Sequence, residues 1–143
     1  MTSRSDVVAC ARQWIGTRFQ HQGRIRGVGV DCVGLVIGVA RELLLVQDDF
    51  DITGYGRQPD GITFQDYCES HMIQSSQEYA APGNVVSIAF NKHPMHLAIL
   101  ADYAHGGLSI IHALASSRKC IEHRLDEVWM SRIVGWHRLI GVA

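Results

Sequence analysis

The chain is predicted to be α+β, with helices first and a small antiparallel sheet of about five strands after them. Three observations predict it. Apolar residues recur at helical spacing in the first half, as in Val33, Val36, Val39, Ala40, Leu43 and Leu44. From Pro82 onward, short β-rich segments alternate with brief turns. Between these patterns and the start of the chain, the glycine-rich run Gly27-Val28-Gly29-Val30 leads directly into Asp31-Cys32-Val33-Gly34.

The elements follow in order. Residues 4–15 read as a helix capped by Ser3 or Ser5, with Val7, Val8, Ala11, Trp14 and Ile15 on one face and Gly16 closing it. Residues 17–30 read as a loop, and Arg18, Arg24 and Arg26 within it as a solvated basic cluster. Asp31 is a good N-cap, so a second helix starts at Cys32 and ends near Leu44 or Leu45. Gly34 and Gly38 each weaken that helix by about 1 kcal/mol against alanine. A pair at that spacing points to close packing of another element.

Residues 46–62 are acidic and turn-rich, an irregular connection from which Tyr55 is placed toward a cleft. Thr63 reads as the cap of a third helix, with Asp66 in its first turn and Phe64, Tyr67, Cys68 and Met72 facing inward. The strand segments are Val85 to Phe90, Met95 to Asp102, Leu108 to Leu114, Cys120 to Leu125 and Ile133 to Ile140. Antiparallel connections this short favour a sheet that curls toward a barrel.

At 143 residues the chain reads as one domain, 1–143, large enough to bury a core without staples. A formal net charge of −1 gives no electrostatic case for nucleic acid. No apolar run is long enough to span a bilayer, and the start lacks the pattern of a signal peptide. The expectation is a protein made in the cytoplasm, with no membrane partner. The four cysteines, Cys10, Cys32, Cys68 and Cys120, are widely spaced and read as reduced. Cys10, Cys68 and Cys120 are read as core residues.

Cys32 is different because of where it sits. A helix N-terminus presents unpaired N–H groups and the positive end of the helix dipole, which favour the thiolate, the nucleophilic form. A cysteine nucleophile needs a base, and the base needs an orienting partner. Of eight histidines, His96 and His112 lie in apolar strand segments of one hairpin. If the loop between them has an odd number of residues, both point to the same face, opposite or diagonally adjacent. His96 is then the base toward Cys32 and His112 the group that holds its ring. His93 makes a His-x-x-His pair with His96, but no third ligand follows, so no metal is assigned and His93 is read as solvated. His71, His105, His123 and His137 are read as surface residues or local packing.

These residues together resemble a family. Trp14-Ile15-Gly16-Thr17-Arg18-Phe19, Asp31-Cys32-Val33-Gly34-Leu35, Pro82-Gly83-Asn84-Val85-Val86, His96-Leu97-Ala98-Ile99 and Ile111-His112-Ala113 form an ordered set similar to the NlpC-type cell-wall cysteine peptidases. His21-Gln22-Gly23-Arg24 and Arg57-Gln58-Pro59-Asp60-Gly61 are similar to the phage-tail and prophage branch. The likeness covers roughly residues 5–140.

The resemblance implies a papain-like fold and hydrolysis of peptidoglycan stem peptides, typically between a D-γ-glutamyl residue and a diamino acid. It implies Cys32 as nucleophile, His96 as base and His112 as the orienting residue, with no cofactor. Phage-tail or particle proteins are the implied partners, and a virion or particle the implied route to the wall. Phe19 stands where the family often has a tyrosine. The oxyanion donors must then be backbone N–H groups such as that of Cys32, or a neighbour such as His21. Asp31, Phe19, His21 and Tyr55 are the residues assigned to the oxyanion and substrate cleft. Two other readings stay open: a structural tail component with weak catalysis, and an amidase or acyltransferase using the same Cys–His pair on another carbonyl.

Overall fold

The computed structural model describes residues 1–57, 61–90 and 94–143, and only the backbone at 61, 62, 94 and 95. The first helix, α1, spans Arg4–Arg12. Ser3 caps it in a reciprocal capping box with Asp6, two bonds that satisfy free N–H groups at its start. It ends three residues earlier than its apolar pattern, and residues 13–16 turn the chain, Gly16 at φ +92°. The segment expected as loop contains a two-stranded ribbon, β1 (Arg24–Ile25) and β2 (Gly29–Val30), with Val30 fully buried.

Helix α2 runs from Cys32 to Glu42, and every residue from Cys32 to Ala40 is buried. A helix apolar on all sides belongs inside a molecule, and α2 is the central one. Its glycines do what their spacing foretold. A Cβ on Gly38 would lie 2.2 Å from the Trp14 indole, and one on Gly34 would lie 2.1 Å from the Gly23 carbonyl oxygen. Helix α3 spans Gly61–His71, so it starts before Thr63 and Thr63 is not its N-cap. Phe64, Cys68 and Met72 are buried as expected.

Six strands form the main sheet: β3 (Met72–Gln74), β4 (Val85–Ala89), β5 (Pro94–Asp102), β6 (Leu108–Leu114), β7 (Lys119–Arg124) and β8 (Ile133–Leu139). The order is β3-β8-β4-β5-β6-β7, with every pairing antiparallel. β3 is the strand the sequence pattern omits. It is too short to alternate visibly, and its pairing with β8 and the burial of Met72 in the core hold it in place. Among the described residues β3 and β7 end the sheet without pairing with each other, and the outer side of β7 is hydrogen-bonded to Gly16, Thr17 and Arg18.

The two faces of the sheet are both covered. Val85, Leu97, Ile99 and Ile111 pack against the helices together with Leu35 and Val39. Val86, Ile88, Ala98, Leu100 and Ile110 form a second core on the other face, capped by Trp129, Trp136 and Leu125. Trp129 belongs to α4 (Glu127–Arg132), a helix started by Asp126, whose carboxylate accepts from the Trp129 N–H.

Candidate active site

Asp31 builds the site from below. It is the N-cap of α2, and its carboxylate accepts four bonds. Oδ1 takes Gly34 N–H at 2.8 Å and Arg24 Nη1 at 3.0 Å; Oδ2 takes Gln22 N–H at 2.8 Å and the Tyr55 hydroxyl at 2.7 Å. Two carboxylate oxygens offer about four acceptor positions, and all of them are filled from within the chain. Asp31 is 3 % exposed. It borders the cleft as expected but has no capacity left for a ligand, and a carboxylate cannot donate to an oxyanion.

Arg24 corrects the reading of a solvated basic loop. Its side chain is only 10 % exposed. Nε binds Asp51 at 2.8 Å, and Nη2 donates to the Ile52 carbonyl at 2.9 Å and to the Tyr55 hydroxyl at 2.6 Å. The guanidinium thus joins the ribbon, the start of α2 and the irregular connection. Tyr55 is buried between Arg24 and Asp31, and burial followed by the Asp31 bond pushes its phenol pKa upward.

Cys32 sits at the first position of α2, where the backbone N–H groups of Leu97 and Val33 lie close enough to favour its thiolate. Leu97 follows His96 on β5, so the helix start and the strand that carries the base meet at the sulfur. Cys32, His96, Phe19, His21, Asp31 and Tyr55 all border one open cleft of about 500 Å³. Phe90, Arg57, Trp129 and Arg132 also line it.

The expected lowering of the thiol pKa is not what the structure gives. Burial pushes the Cys32 thiol up to about 12, and the Asp31 carboxylate adds to this; the Leu97 and Val33 N–H groups oppose it without winning. Desolvation of a charge outweighs a helix terminus when the sulfur is cut off from water. Cys10, read as core, is half-buried at the rim and donates its thiol to Glu42 at 3.1 Å. Cys68 and Cys120 are core residues, and all four cysteines are unpaired thiols.

The loop between β5 and β6 is residues 103–107, an odd number, and Asp102 pairs with Leu108. His112 lies across from Ala98, so His96 is its diagonal neighbour on the same face. His96 Nε2 and His112 Nδ1 are 2.6 Å apart. Both rings are buried, and loss of water pushes their pKa down, to about 3 for His96 and about 2 for His112. Opposite Ile88 and Ala89 the register shifts by one residue, the extra one being Met95 on β5 next to His96, and such a bulge bends the strand that carries it.

His123, read as a surface residue or local packing, packs into the site. Its Nε2 lies 2.8 Å from His112 Nε2, and its Nδ1 lies 2.9 Å from the Arg124 carbonyl oxygen. The same same-face reasoning carried one strand further would have found it, since His123 pairs with Ile110 on the face of His112. Trp129 meets His112 edge-on at 5.1 Å and His123 at 5.1 Å. His137 is buried, in keeping with the local-packing reading; its ring bridges Ser87 and Gln74. His93 and the stretch Gln58-Pro59-Asp60 lie outside the described residues.

No protein-family model and no curated protein sequence matches the chain. Solved structures do. It is similar to an NLP/P60 family lipoprotein-like protein from Staphylococcus aureus, at 17 % identity and TM-score 0.63, covering 96 % of this chain and 41 % of that one. It is similar to an NlpC/P60 family protein from Bacillus cereus, at 15 % identity and TM-score 0.68, covering 96 % of this chain and 40 % of that one.

The chain has the NlpC/P60 fold.

A third NlpC/P60 structure, the NlpC/p60 domain of the peptidoglycan hydrolase SagA, is covered over its full length, with 96 % of this chain, 19 % identity and TM-score 0.62. The chain therefore covers the whole of the SagA domain structure and about two fifths of the longer S. aureus and B. cereus proteins.

Proposed function

We propose that the chain hydrolyses the stem peptides of bacterial peptidoglycan, at the bond between a D-γ-glutamyl residue and a diamino acid, with Cys32 as nucleophile. One observation carries the reading. His96 borders the same cleft as Cys32, and its Nε2 is committed to His112, which leaves Nδ1 as the nitrogen able to take the thiol proton. The NlpC/P60 fold and the peptidoglycan hydrolase among its neighbours supply the substrate class. Arg57 and Arg132 on the cleft suit a peptide bearing free carboxylates, while the acidic Asp31 is neutralised by Arg24.

The chemistry is acyl transfer to water. At neutral pH the raised thiol and the depressed imidazole leave the proton on sulfur. Sulfur is therefore activated as it attacks, its proton passing to His96 Nδ1. The tetrahedral oxyanion forms beside the start of α2, where first-turn N–H groups such as that of Cys32 point outward. One such donor is commonly worth about 3 kcal/mol. Phe19 contributes none, and His21 is a side chain on the cleft wall able to add another. His96 then gives its proton to the leaving amine, forming the thioester. It next takes a proton from water, which releases the acid and restores the thiol.

Digestion of purified peptidoglycan, with the new termini identified by mass spectrometry, tests the reading. The unaltered chain is expected to release muropeptides with new D-γ-glutamyl carboxyl ends, and Cys32→Ala to release none. Equal release by Cys32→Ala would refute the nucleophile.

The high thiol pKa and the missing hydroxyl at Phe19 favour a second reading, a structural component with little catalysis. Absence of any soluble product from the unaltered chain would select it. The likeness to the phage-tail branch supports delivery to the wall in a particle; purified particles that lack the protein would end that proposal.

A further inference from the structure

We propose that His123 is a positioning residue of this reaction, setting through His112 which nitrogen of His96 is bare and ready for the Cys32 proton. The inference rests on the hydrolase reading given above and deepens it.

Three consecutive contacts make an ordered chain: His96 Nε2 to His112 Nδ1 at 2.6 Å, His112 Nε2 to His123 Nε2 at 2.8 Å, and His123 Nδ1 to the Arg124 carbonyl oxygen at 2.9 Å. Each contact needs one hydrogen between its two atoms. A carbonyl oxygen only accepts, so the last contact requires the hydrogen on His123 Nδ1. A neutral His123 then has a bare Nε2 and accepts from His112 Nε2–H. His112 in turn has a bare Nδ1 and accepts from His96 Nε2–H. What is left is a bare Nδ1 on His96, the nitrogen that the chain of contacts does not use.

The opposite order fails at its outer end. It would set the lone pairs of His123 Nδ1 and the Arg124 oxygen against each other at 2.9 Å. It would also put a hydrogen on His96 Nδ1, and such a ring cannot act as base. Burial supports neutral rings at the inner two positions, since His96 is 5 % exposed and His112 is fully buried. Trp129 packs against the rings of His112 and His123, at 5.1 Å each. A single carbonyl at the sheet edge thereby dictates the tautomer of a base two residues inward.

Two measurements test this. First, ring-nitrogen NMR of histidine-labelled protein in the Cys32→Ala background reads the tautomers without any turnover. Nε2–H is expected at His96 and His112, and Nδ1–H at His123. His112 found as Nδ1–H at neutral pH would overturn the proposal. Second, His123→Leu removes the acceptor and His123→Gln supplies a carbonyl oxygen in its place. His123→Leu is expected to lower kcat about tenfold to 10²-fold, within what general-base catalysis contributes, with a smaller change in KM.

His123→Gln is expected to regain most of that loss, which a merely structural role would not produce for an amide over an aliphatic side chain. Equal kcat in the unaltered chain and His123→Leu would overturn the proposal. Should His123→Leu fail to fold, the tautomers in the Cys32→Ala protein still decide. If instead Cys32→Ala retains full hydrolysis, the nucleophile assignment fails while the tautomer measurement stands apart from it.

Discussion

At the scale of single residues, the site depends on charges that are satisfied before any substrate arrives. Asp31 is buried with all its acceptor positions filled, and Arg24 is the cation among its partners. Arg24→Met would leave that carboxylate buried and unpaired. Breaking such a pair costs about 3–5 kcal/mol, and urea denaturation should show a loss of that size. A loss below about 1 kcal/mol, as for an exposed pair, would return Arg24 to the surface role its sequence context implied.

His112→Ala is a different case, because it leaves His96 Nε2–H without its acceptor. Muropeptide release should fall by about 10²- to 10⁴-fold in kcat, the range of general-base catalysis, yet remain above Cys32→Ala. The residue-level reading placed His96 and His112 correctly because strand parity is local. It misjudged Arg24, whose partners lie on other elements, and gave His123 no place in the site.

At the scale of elements, α2 is the part on which the others converge. Its buried surface lies on all sides, so its glycines are sites of contact rather than of flexibility. Gly38→Ala would gain about 1 kcal/mol of helix propensity. It would also place a methyl 2.2 Å from Trp14, which is 2 % exposed and has little room to retreat. Overpacking of this kind costs about 1–3 kcal/mol, so the expected net change in a thermal melt is destabilising. A rise in Tm would mean that Trp14 moves freely.

The β5–β6 hairpin is the second organising element. Its five-residue loop sets the face shared by His96 and His112, and the extra residue in β5 beside His96 bends the strand end that presents it. Helix α4 completes the arrangement by laying Trp129 over the outer rings. Nothing in the strand periodicity announces α4, because its role is to cover a face that only the folded sheet creates.

At the scale of the whole molecule, burial of titratable groups makes stability depend on pH from both sides. The folded values of His96 and His112, about 3 and about 2, lie below the ordinary histidine value near 6.5. Between those limits the unfolded chain binds more protons, so stability is full above about pH 6.5 and falls as pH drops. The thiols of Cys10, Cys32, Cys68 and Cys120 are each pushed up to about 12, burial being the largest cause. Here the folded chain binds more protons, and stability falls as pH rises above about 8.5. Urea melts across this range should give a plateau between roughly pH 6.5 and 8.5. A flat profile down to pH 4 would show that water reaches the histidines in solution.

What the sequence determined by itself is local in origin: the capped start of α2 at Asp31, the strand segments after Pro82, the close packing at Gly34 and Gly38, and the shared face of His96 and His112. Each follows from hydrogen-bond capping, side-chain period or the volume of a missing Cβ, all encoded within a few residues. The tertiary structure alone decided the Arg24–Asp31–Tyr55 junction, the extension of the histidine chain to His123, and the protonated state of Cys32. Those depend on which groups lose water together, and the removal of water is a property of the assembled core rather than of any stretch of chain.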